Sequence, residues 1–463
     1  MQTAKPTAPT KAKGTRDFGP KEMAKRTYLL ETIKSVFTKY GFLPLETPAM
    51  ENLSVLTGKY GAEGDQLLFK ILNSGDYLNK VSSDLGSYSS KSLVPEISEK
   101  GLRYDLTVPF ARYVVMNRNE INFPFRRYQI QPVWRADRPQ KGRYREFLQC
   151  DADVIGTQSL LCEAEIIMML NEIFTELNLE DYEIIINSRK FLTGLSEYLG
   201  QPSMENQLCV SIDKLDKIGQ EKVFLELAEY GFSKEALNNL ETILSAKGSN
   251  EAKLEDLFKQ FATSETAKKG LDEVNEVIEM VKGMSGNTAT VSFEPSLARG
   301  LSYYTGIIFE VRMKDGSIGS ISGGGRYDDL TGVFGMPDVS GVGISLGVER
   351  IYDVLESRSL FKEELTQNTK VLIINFGDEN KTFALSTLAE LRENNISCEL
   401  YPDSAKMKKQ MSYADKNNIP FVIIAGAGEI EANTINIKDM KSGDQKTCTT
   451  AELTASISSL INN

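Results

Sequence analysis

Polar side chains alternate along one predicted strand, about one third of the way along the chain. In residues 147–153, Gln149, Asp151 and Asp153 fall on one face, because successive side chains of a strand point to opposite sides. The same alternation places Arg135 and Asp137 together at the preceding strand. Carboxylates, an amide and arginine suit a ligand that carries both an ammonium group and phosphates. The alternative is a solvated sheet face with ordinary surface ion pairs.

A cluster of basic residues surrounds this strand pair. The whole chain has 53 basic and 64 acidic side chains and a net charge of −11, which argues against a dedicated nucleic-acid-binding protein. Positions 126–145 nevertheless hold one acid and seven basic residues, a local net charge of +6. The basic residues are Arg126, Arg127, Arg135, Arg138, Lys141, Arg143 and Arg145. This distribution indicates a polyanion site of limited size.

Two later segments combine glycines with arginine and tyrosine. Residues 297–306 place Arg299 and two tyrosines among glycines, and residues 322–328 place three glycines directly before Arg326 and Tyr327. Glycine lets a ligand or a side chain approach the backbone closely. The alternatives are a core strand with packed tyrosines for the first segment and an ordinary glycine loop for the second.

A third glycine pattern excludes two nucleotide-binding motifs. Gly341, Gly343 and Gly347 resemble a dinucleotide fingerprint, but three residues instead of two separate the last pair, and the chain has no Gly-Lys-Ser/Thr sequence. We therefore expect these glycines to let a strand and a helix pack closely, with Glu349 and Arg350 projecting at the start of the helix.

Composition excludes further chemistry. The chain of 463 residues has no histidine, so catalytic triads, Cys-His nucleophiles and histidine-bound zinc are excluded. Its five cysteines are odd in number and form no Cys-x-x-Cys pair, which favours reduced thiols in a cytosolic protein. The N-terminus does not resemble a signal peptide, and no apolar run is long enough to span a bilayer. We therefore expect a cytoplasmic protein without a membrane partner.

The elements that must position these residues follow from hydrophobic periodicity and from turn residues. The pattern predicts a helix over 22–40, a hairpin of strands 127–134 and 147–155 joined by a basic loop at 138–145, a helix over 163–177, a helical insertion over about 201–286, strands over 291–312, a helix near 347–357 and a linker over 363–369. Alternating strands and helices after residue 370 predict an independent C-terminal domain with a parallel, helix-covered sheet.

Several of these segments together resemble the histidyl-tRNA synthetases, a family of class II aminoacyl-tRNA synthetases. Residues 135–149 resemble the motif 2 loop, residues 341–350 resemble motif 3, and residues 297–306 resemble the histidine-specific signature of the family. Residues 42–49 resemble motif 1, which builds the dimer interface in the family, and residues 13–18 match its usual N-terminal start. The resemblance extends from about residue 13 to the end of the chain.

This resemblance implies an α+β fold with three parts. They are a disordered arm at 1–14, a class II catalytic domain at 15–362 that has an antiparallel sheet and the helical insertion, and a C-terminal α/β anticodon-binding domain at 370–463. It also implies a histidine–tRNA ligase, which activates histidine with ATP and Mg²⁺ and transfers it to the terminal adenosine of histidine tRNA. The implied partners are histidine tRNA, histidine, ATP and a second copy of the chain.

The resemblance also assigns roles to individual residues. Arg135, Arg299 and Arg350 are the expected catalytic residues: Arg135 and Arg299 bind the α-phosphate from opposite sides, and Arg350 binds the γ-phosphate and adenine side. Asp137 and Arg143 join Arg135 and Arg350 in the ATP site. The expected histidine-binding residues are Asp105, Thr107 and Gln149 at the ammonium group, Asp153 and Tyr304 at the imidazole, and Tyr327 in the pocket wall. No residue is assigned as a metal ligand.

Two alternative functions remain open at this point: an inactive regulatory paralogue and, as the weaker alternative, a synthetase-like enzyme that charges another acceptor. A catalytically inactive paralogue could act as a regulatory sensor of histidine or uncharged tRNA, and the fold alone would not distinguish it from the ligase. The presence of Arg135, Arg299 and Arg350 together with a C-terminal domain favours the ligase, because a sensor does not need three phosphate-binding arginines.

Overall fold

A computed structural model describes residues 8–81, 86, 88–140, 142–284, 289–299, 303–362, 365 and 369–462. The described residues divide into two compact units. The first unit lies within Met1–Phe18 and Arg26–Leu360, and the second lies within Gly19–Lys25 and Phe361–Asn463. Among the described helices, none has the length and the apolar character that crossing a bilayer requires.

The strands are β1 Leu43–Pro44, β2 Met50–Asn52, β3 Lys70–Ile71, β4 Lys100–Leu102, β5 Phe125–Trp134, β6 Glu146–Ile155, β7 Tyr182–Ser188, β8 Val291–Phe293, β9 Ile307–Met313, β10 Ser322–Tyr327, β11 Gly341–Gly347, β12 Val371–Ile373, β13 Cys398–Leu400, β14 Phe421–Ile424, β15 Thr434–Asp439 and β16 Gln445–Thr449.

The α-helices are α1 Pro20–Lys39, α2 Leu53–Leu56, α3 Gly61–Leu67, α4 Ser90–Ile97, α5 Thr107–Met116, α6 Leu161–Glu176, α7 Arg189–Tyr198, α8 Glu205–Ile212, α9 Leu215–Ile218, α10 Gln220–Glu229, α11 Lys234–Leu244, α12 Asn250–Gln260, α13 Glu265–Gly283, α14 Val348–Ser357, α15 Lys381–Glu393, α16 Met407–Lys416, α17 Ala427–Glu431 and α18 Leu453–Asn462.

An eight-stranded sheet forms the centre of the first unit. Its order is β1-β5-β6-β11-β10-β9-β7-β8. The six inner strands, from β5 to β7, pair antiparallel with their neighbours, and only the pairings of β1 with β5 and β8 with β7 are parallel. The α+β class with an antiparallel catalytic sheet is therefore confirmed, and so is the predicted hairpin, which is β5 and β6.

Helices α6, α7 and α13 cover part of this sheet. The apolar residues of α6 recur at helical spacing, and Ile166, Leu170 and Ile173 are almost completely buried. Helices α7 and α13 approach each other very closely at Gly270. A Cβ atom there would lie 2.3 Å from the backbone nitrogen of Phe191, so this approach requires glycine. The helical insertion predicted over 201–286 contains α8 to α13, and its residues 285–286 lie outside the described residues.

Helix α1 agrees with the helix predicted over 22–40. Leu29, Ile33 and Phe37 are fully buried on one face, and Gly41 follows with a φ of 78°, the left-handed conformation that glycine adopts after a helix. Of the arm predicted over 1–14, residues 1–7 lie outside the described residues. The carbonyl of Gly14 accepts a 2.9 Å hydrogen bond from the N–H of Arg145, so this end of the predicted arm contacts the basic loop.

The glycine-rich part of the first unit agrees with the predicted strands. Among the described residues, the strands predicted over 291–312 are β8 and β9. The three consecutive glycines, 323–325, lie in the buried strand β10 and not in a loop. Gly341–Gly347 is the antiparallel strand β11, which agrees with the exclusion of a dinucleotide-binding turn.

The second unit has a mixed sheet, so the prediction of a purely parallel sheet is wrong. Its order is β13-β12-β14-β15-β16. The first three strands are parallel as predicted, whereas β15 and β16 are antiparallel additions that the sequence analysis missed. Alternate residues of β12 enter opposite cores: Val371 and Ile373 pack with Phe421, and Leu372 packs with Val422. Most of the linker predicted over 363–369 lies outside the described residues.

Candidate active site

The large sheet, the basic loop and the segment before α5 enclose a cavity of about 280 Å³. Every side chain selected from the sequence as a site residue lines this cavity: Asp105, Thr107, Arg135, Asp137, Arg143, Gln149, Asp153, Arg299, Tyr304, Tyr327 and Arg350. Residues from the segment before α5, from β6, β10 and β11 and from α14 thus meet at one place, although Asp105 and Arg350 are 245 positions apart in the chain. The structure places these residues together without assigning a role to any of them.

The floor of the cavity is the polar face of β6. Opposite this strand, β11 pairs Ser345 with Asp151 and Gly343 with Asp153. The amide nitrogen of Gln149 donates a 2.7 Å hydrogen bond to the hydroxyl of Ser345. Within the described part of the chain, Oε1 of Gln149 and Oδ1 of Asp151 are buried without a hydrogen-bond partner. Buried acceptors are almost always paired in proteins, so these two atoms suit a ligand that donates hydrogen bonds.

Glycines in β10 and β11 make room for the charged groups. A Cβ atom at Gly343 would lie 2.1 Å from Oδ1 of Asp153, and one at Gly323 would lie 1.9 Å from Nη1 of Arg299. Both side chains therefore rest directly on the backbone of the neighbouring strands. The sequence analysis expected the consecutive glycines to leave room beside the chain, and the structure shows which groups occupy that room.

Asp153 is held by two buried partners. The hydroxyl of Tyr327 donates a 2.7 Å hydrogen bond to Oδ1 of Asp153. Nη2 of Arg127 lies 2.8 Å from Oδ2, an ion pair whose angles are not those of a hydrogen bond, so Oδ2 has no hydrogen-bond partner among the described residues. Burial raises the pKa of Asp153, and the charge of Arg127 and the Tyr327 hydroxyl oppose that rise.

Sequence reasoning missed the role of Arg127 in this arrangement. It treated Arg127 as part of the basic island, whereas the side chain is completely buried, with its guanidinium 4.2 Å from the ring centre of Phe110. Arg126 is likewise removed from the island, since it pairs with Glu165 at 2.6 Å. Strand alternation was a partial signal, because it places Arg127 on the same face as Arg135, whereas the position of Arg127 opposite Asp153 depends on the register of the hairpin.

Two other carboxylates face the cavity from different elements. Burial raises the pKa of Asp151 to about 7, a shift that Arg127 opposes and Asp153 reinforces. Asp105, just before α5, accepts hydrogen bonds from the Tyr60 hydroxyl at 3.0 Å and from the N–H of Val108 at 3.1 Å, and burial raises its pKa as well. The cavity floor is therefore an acceptor-rich surface suited to a cation.

Buried Arg103 fixes the segment that carries Asp105. Its guanidinium donates to the carbonyls of Thr47 at 2.6 Å and Pro132 at 2.8 Å, and to the side chain of Gln131 at 2.9 Å. The carbonyl of Arg103 accepts a hydrogen bond from the N–H of Trp134 at the end of β5. Asp105 and Thr107 are thereby anchored to the hairpin that carries Asp151 and Asp153.

Four arginines line the other parts of the cavity. Arg135 donates to the Tyr104 carbonyl at 3.0 Å, with its guanidinium 4.2 Å from the ring centre of that tyrosine. Arg350 donates to the Ser320 carbonyl at 2.6 Å, and burial and the charge of Arg143 lower its pKa.

The remaining two arginines have acidic neighbours. Arg299 lies 3.4 Å from Glu310, and Nε of Arg299 has no hydrogen-bond partner among the described residues. Residues 300–302, which follow it in the predicted signature, lie outside the described residues. Arg143, which is half exposed, lies 3.7 Å from Asp137. The four guanidinium groups form a positively charged wall that suits the phosphates of a nucleotide.

Glu349 and Arg350 lie at the start of α14 as expected, and both line the cavity, but the carboxylate of Glu349 is already paired. Although Glu349 lines the cavity, it is buried and pairs with Arg26 at 2.6 Å and with Arg16. Across the described residues, no group of three acidic or cysteine side chains has an arrangement that would hold a metal ion.

Similarity to known proteins extends over nearly the whole chain. A family model described as histidyl-tRNA synthetase matches residues 93–351, and one described as an anticodon-binding domain matches residues 370–460. A histidine–tRNA ligase of Cytophaga hutchinsonii is 54% identical over 94% of this chain and 96% of that protein. One of Phocaeicola vulgatus is 53% identical over 98% of this chain and 99% of that protein.

Solved structures extend this similarity to the fold. The crystal structure of histidyl-tRNA synthetase from Nostoc sp. PCC 7120 superposes with a TM-score of 0.82 at 31% identity, and covers 98% of this chain and 100% of that one. An ATP phosphoribosyltransferase regulatory subunit/histidyl-tRNA synthetase from Bacillus halodurans superposes with a TM-score of 0.70 at 21% identity, covering 88% and 97%. At that identity the second likeness concerns the fold alone.

Proposed function

The chain belongs to the histidyl-tRNA synthetase family and is a histidine–tRNA ligase, and we propose that the cavity described above is where it activates histidine. The reaction uses ATP: the carboxylate of histidine attacks the α-phosphorus, and histidyl-adenylate and pyrophosphate form. The histidyl group then passes to the 3′-terminal adenosine of histidine tRNA, and AMP is released. Adenylation needs no protein nucleophile, only aligned reactants and fixed charges where negative charge develops, so a chain without histidine can perform it.

Unpaired buried acceptors on β6 are the observation that carries the proposal for the amino-acid subsite. Oε1 of Gln149, Oδ1 of Asp151 and Oδ2 of Asp153 belong to residues that line the cavity, and these atoms have no hydrogen-bond partner among the described residues. Free histidine brings an ammonium group and an imidazole N–H, which together supply such donors. In our proposal Asp105, Thr107 and Gln149 bind the ammonium group.

The imidazole end of the subsite has a different set of residues. Asp153 accepts a hydrogen bond from the imidazole, Tyr304 contacts the ring, and Tyr327 fixes Asp153 through its hydroxyl. An apolar amino acid of similar size would leave the buried Asp153 oxygen unpaired. This costs about 1–3 kcal/mol, a discrimination of roughly 5- to 150-fold.

The arginine wall is the proposed nucleotide subsite. Arg135 and Arg299 approach the α-phosphate from opposite sides of the cavity, while Arg350, with Arg143 and Asp137 of the basic loop, binds the γ-phosphate and adenine end. Arg135 and Arg350 are already held by backbone carbonyls, and Arg135 also by the ring of Tyr104, so these two need little reorganisation when charge develops at the phosphorus.

Mg²⁺ is proposed to enter with the nucleotide. Because the described residues form no cluster of three metal-ligating side chains, the phosphates of ATP supply most of its ligands. Glu349 is an unsuitable ligand, since two arginines already occupy its carboxylate. No step is assigned to the metal.

The parts of the chain beyond the cavity have proposed partners as well. Residues 370–463 are the proposed anticodon-binding domain, where exposed Lys406, Lys408 and Lys409 at the start of α16 suit tRNA phosphates. Residues 15–362 are the proposed catalytic domain, which pairs with a second copy through residues 42–49; Leu43 in that segment is 58% exposed. We propose a cytoplasmic homodimer.

Histidine-dependent exchange of labelled pyrophosphate into ATP tests the adenylation proposal. The purified protein is assayed without tRNA, with histidine and with each other amino acid in turn. Exchange with histidine alone is expected. Exchange with no amino acid, from protein shown to be folded, would contradict the proposed site. The alternative of an inactive sensor has no support from the comparisons, because the curated relatives at about 50% identity are named histidine–tRNA ligases.

A further inference from the structure

Arg16 links two elements that both line the nucleotide side of the cavity. Its guanidinium donates to Glu349 in the first turn of α14 and lies 3.5 Å from the ring centre of Tyr144 in the 138–145 loop. Both Glu349 and Tyr144 are cavity-lining residues. Arg16 comes from neither element but from the segment before α1, so it joins three distant parts of the chain.

The surroundings of Arg16 form a built cluster and not a chance surface contact. Glu349 is 4% exposed, and Arg26 also donates to it, at 2.6 Å and 3.0 Å. The ring of Phe18 lies under both guanidinium groups, at 3.9 Å from Arg26 and 4.8 Å from Arg16. Two arginines share one carboxylate at the start of α14, directly beside Arg350, where anionic phosphates are proposed to bind.

The 138–145 loop has two other anchors. The N–H of Arg145 donates to the Gly14 carbonyl at 2.9 Å, and Nε of Arg350 donates to the Gly142 carbonyl at 3.3 Å. Gly14 has a φ of 86°, and a Cβ atom there would lie 2.8 Å from Cγ of Arg145, so this close approach requires glycine. Residues 14–18 therefore hold one side of the loop, and α14 holds the other.

We propose that Arg16 is a positioning residue for ATP: by joining Tyr144 to Glu349, it fixes the 138–145 loop against α14 so that Arg143 and Arg350 face the same nucleotide. The inference rests on the proposed function, because it assigns the arginine wall to ATP. Arg16 itself acts through Tyr144 and Glu349 and not through the reacting atoms. Residue 141 of the loop lies outside the described residues.

The test measures pyrophosphate exchange at varied ATP and at varied histidine. Arg16→Ala removes both contacts and is expected to raise the KM for ATP about tenfold, with the KM for histidine unchanged within about twofold. Tyr144→Ala should give the same pattern. Tyr144→Phe keeps the ring under the guanidinium and loses only the hydroxyl, so it should raise the KM for ATP less than Tyr144→Ala does.

A matched control and a readout independent of activity complete the design. Lys11→Ala removes a cation from the same segment, whose partner Asp17 is 3.7 Å away and exposed, so the variant should match the wild type. Limited trypsin digestion reports the loop directly. Cleavage after exposed Arg143 should be faster in Arg16→Ala than in Lys11→Ala, because the loop loses an anchor.

The outcomes separate this inference from the proposed function. If the wild type shows no exchange, the proposed function fails. If the wild type is active and Arg16→Ala leaves the KM for ATP unchanged, or raises both KM values equally, the positioning role is wrong. If Arg16→Ala does not fold, Tyr144→Ala and Tyr144→Phe decide the question, since identical kinetics for these two variants would also overturn the proposal.

Discussion

Replacing Gly323 with alanine should disable adenylation without unfolding the chain. The new Cβ atom would lie 1.9 Å from Nη1 and 2.8 Å from Cζ of Arg299. The colliding group is the end of a flexible side chain, so the guanidinium can move while β10 keeps its pairing with β9 and β11. Gly323 does not have a positive φ, and its backbone therefore accepts alanine.

The size of the effect follows from the distance that Arg299 must move. Ordinary van der Waals separation requires the guanidinium to retreat by about 1.5 Å. A displacement of about 1 Å from productive geometry can cost about 10²-fold in rate. We therefore expect kcat/KM for adenylation to fall about 100-fold, which corresponds to about 2.7 kcal/mol of transition-state stabilisation.

The assay is pyrophosphate exchange, with thermal unfolding measured on the same preparations. Gly283→Ala is the matched control, because a Cβ atom at that helix end would meet nothing within 4 Å. Its activity should equal that of the wild type. The reasoning about Arg299 would be refuted if Gly323→Ala, with an unchanged Tm, kept more than about half of the wild-type kcat/KM.

Three further outcomes follow from the amino-acid subsite. Tyr327→Phe removes the 2.7 Å hydrogen bond to buried Asp153 and should raise the KM for histidine about 5- to 150-fold, whereas an equal rise in the KM for ATP would argue against this subsite. Arg127→Met leaves Asp153 buried without its cation and should lower the free energy of unfolding in urea by about 3–5 kcal/mol; a change below about 1 kcal/mol would mean that the pair is not buried. Burial raises the pKa of Asp151 from 3.8 to about 7, so between these pH values the folded state binds more protons than the unfolded state. The free energy of unfolding should therefore fall as the pH rises from about 4 to about 7. Asp151→Asn should weaken this dependence, and an identical pH profile would show that another group is responsible.

Sequence patterns predicted which residues share a face better than which residues touch. Alternation placed Gln149, Asp151 and Asp153 on one side of β6, and all three line the cavity. The partner of Asp153 was missed because it depends on the register of the hairpin. This register puts Arg127 opposite Asp153, and it is set by the length and geometry of the loop between β5 and β6. Alternation fixes the face of a side chain, whereas register fixes its neighbour.

Elements with weak hydrophobic patterns escaped prediction altogether. Strand β16, Gln445–Thr449, is mostly exposed and polar, with only Cys448 buried. An edge strand buries little apolar surface, so it lacks the hydrophobic run that made β12 and β14 recognisable. The mixed sheet of the second unit was therefore predicted as parallel from its three buried strands alone.

Contacts between distant segments had no local signal at all. Arg16 and Glu349 are 333 positions apart and meet only because α14 follows β11, the strand that pairs with β6 beside the basic loop. Spacing along the chain carries no information about such a pair.

The buried ion pairs of the site serve substrate discrimination more than the stability of the fold. An ion pair such as Arg127–Asp153 gains little over well-packed apolar residues, because removing two charges from water offsets their attraction. Oδ2 of Asp153 has an ion-pair partner but no hydrogen bond among the described residues, so it can still accept one from an imidazole N–H. The glycines that contact Asp153 and Arg299 serve the same purpose, because any side chain at these positions would occupy the space that the charged groups need. The sheet therefore gives up apolar packing at the positions where the substrate must be recognised.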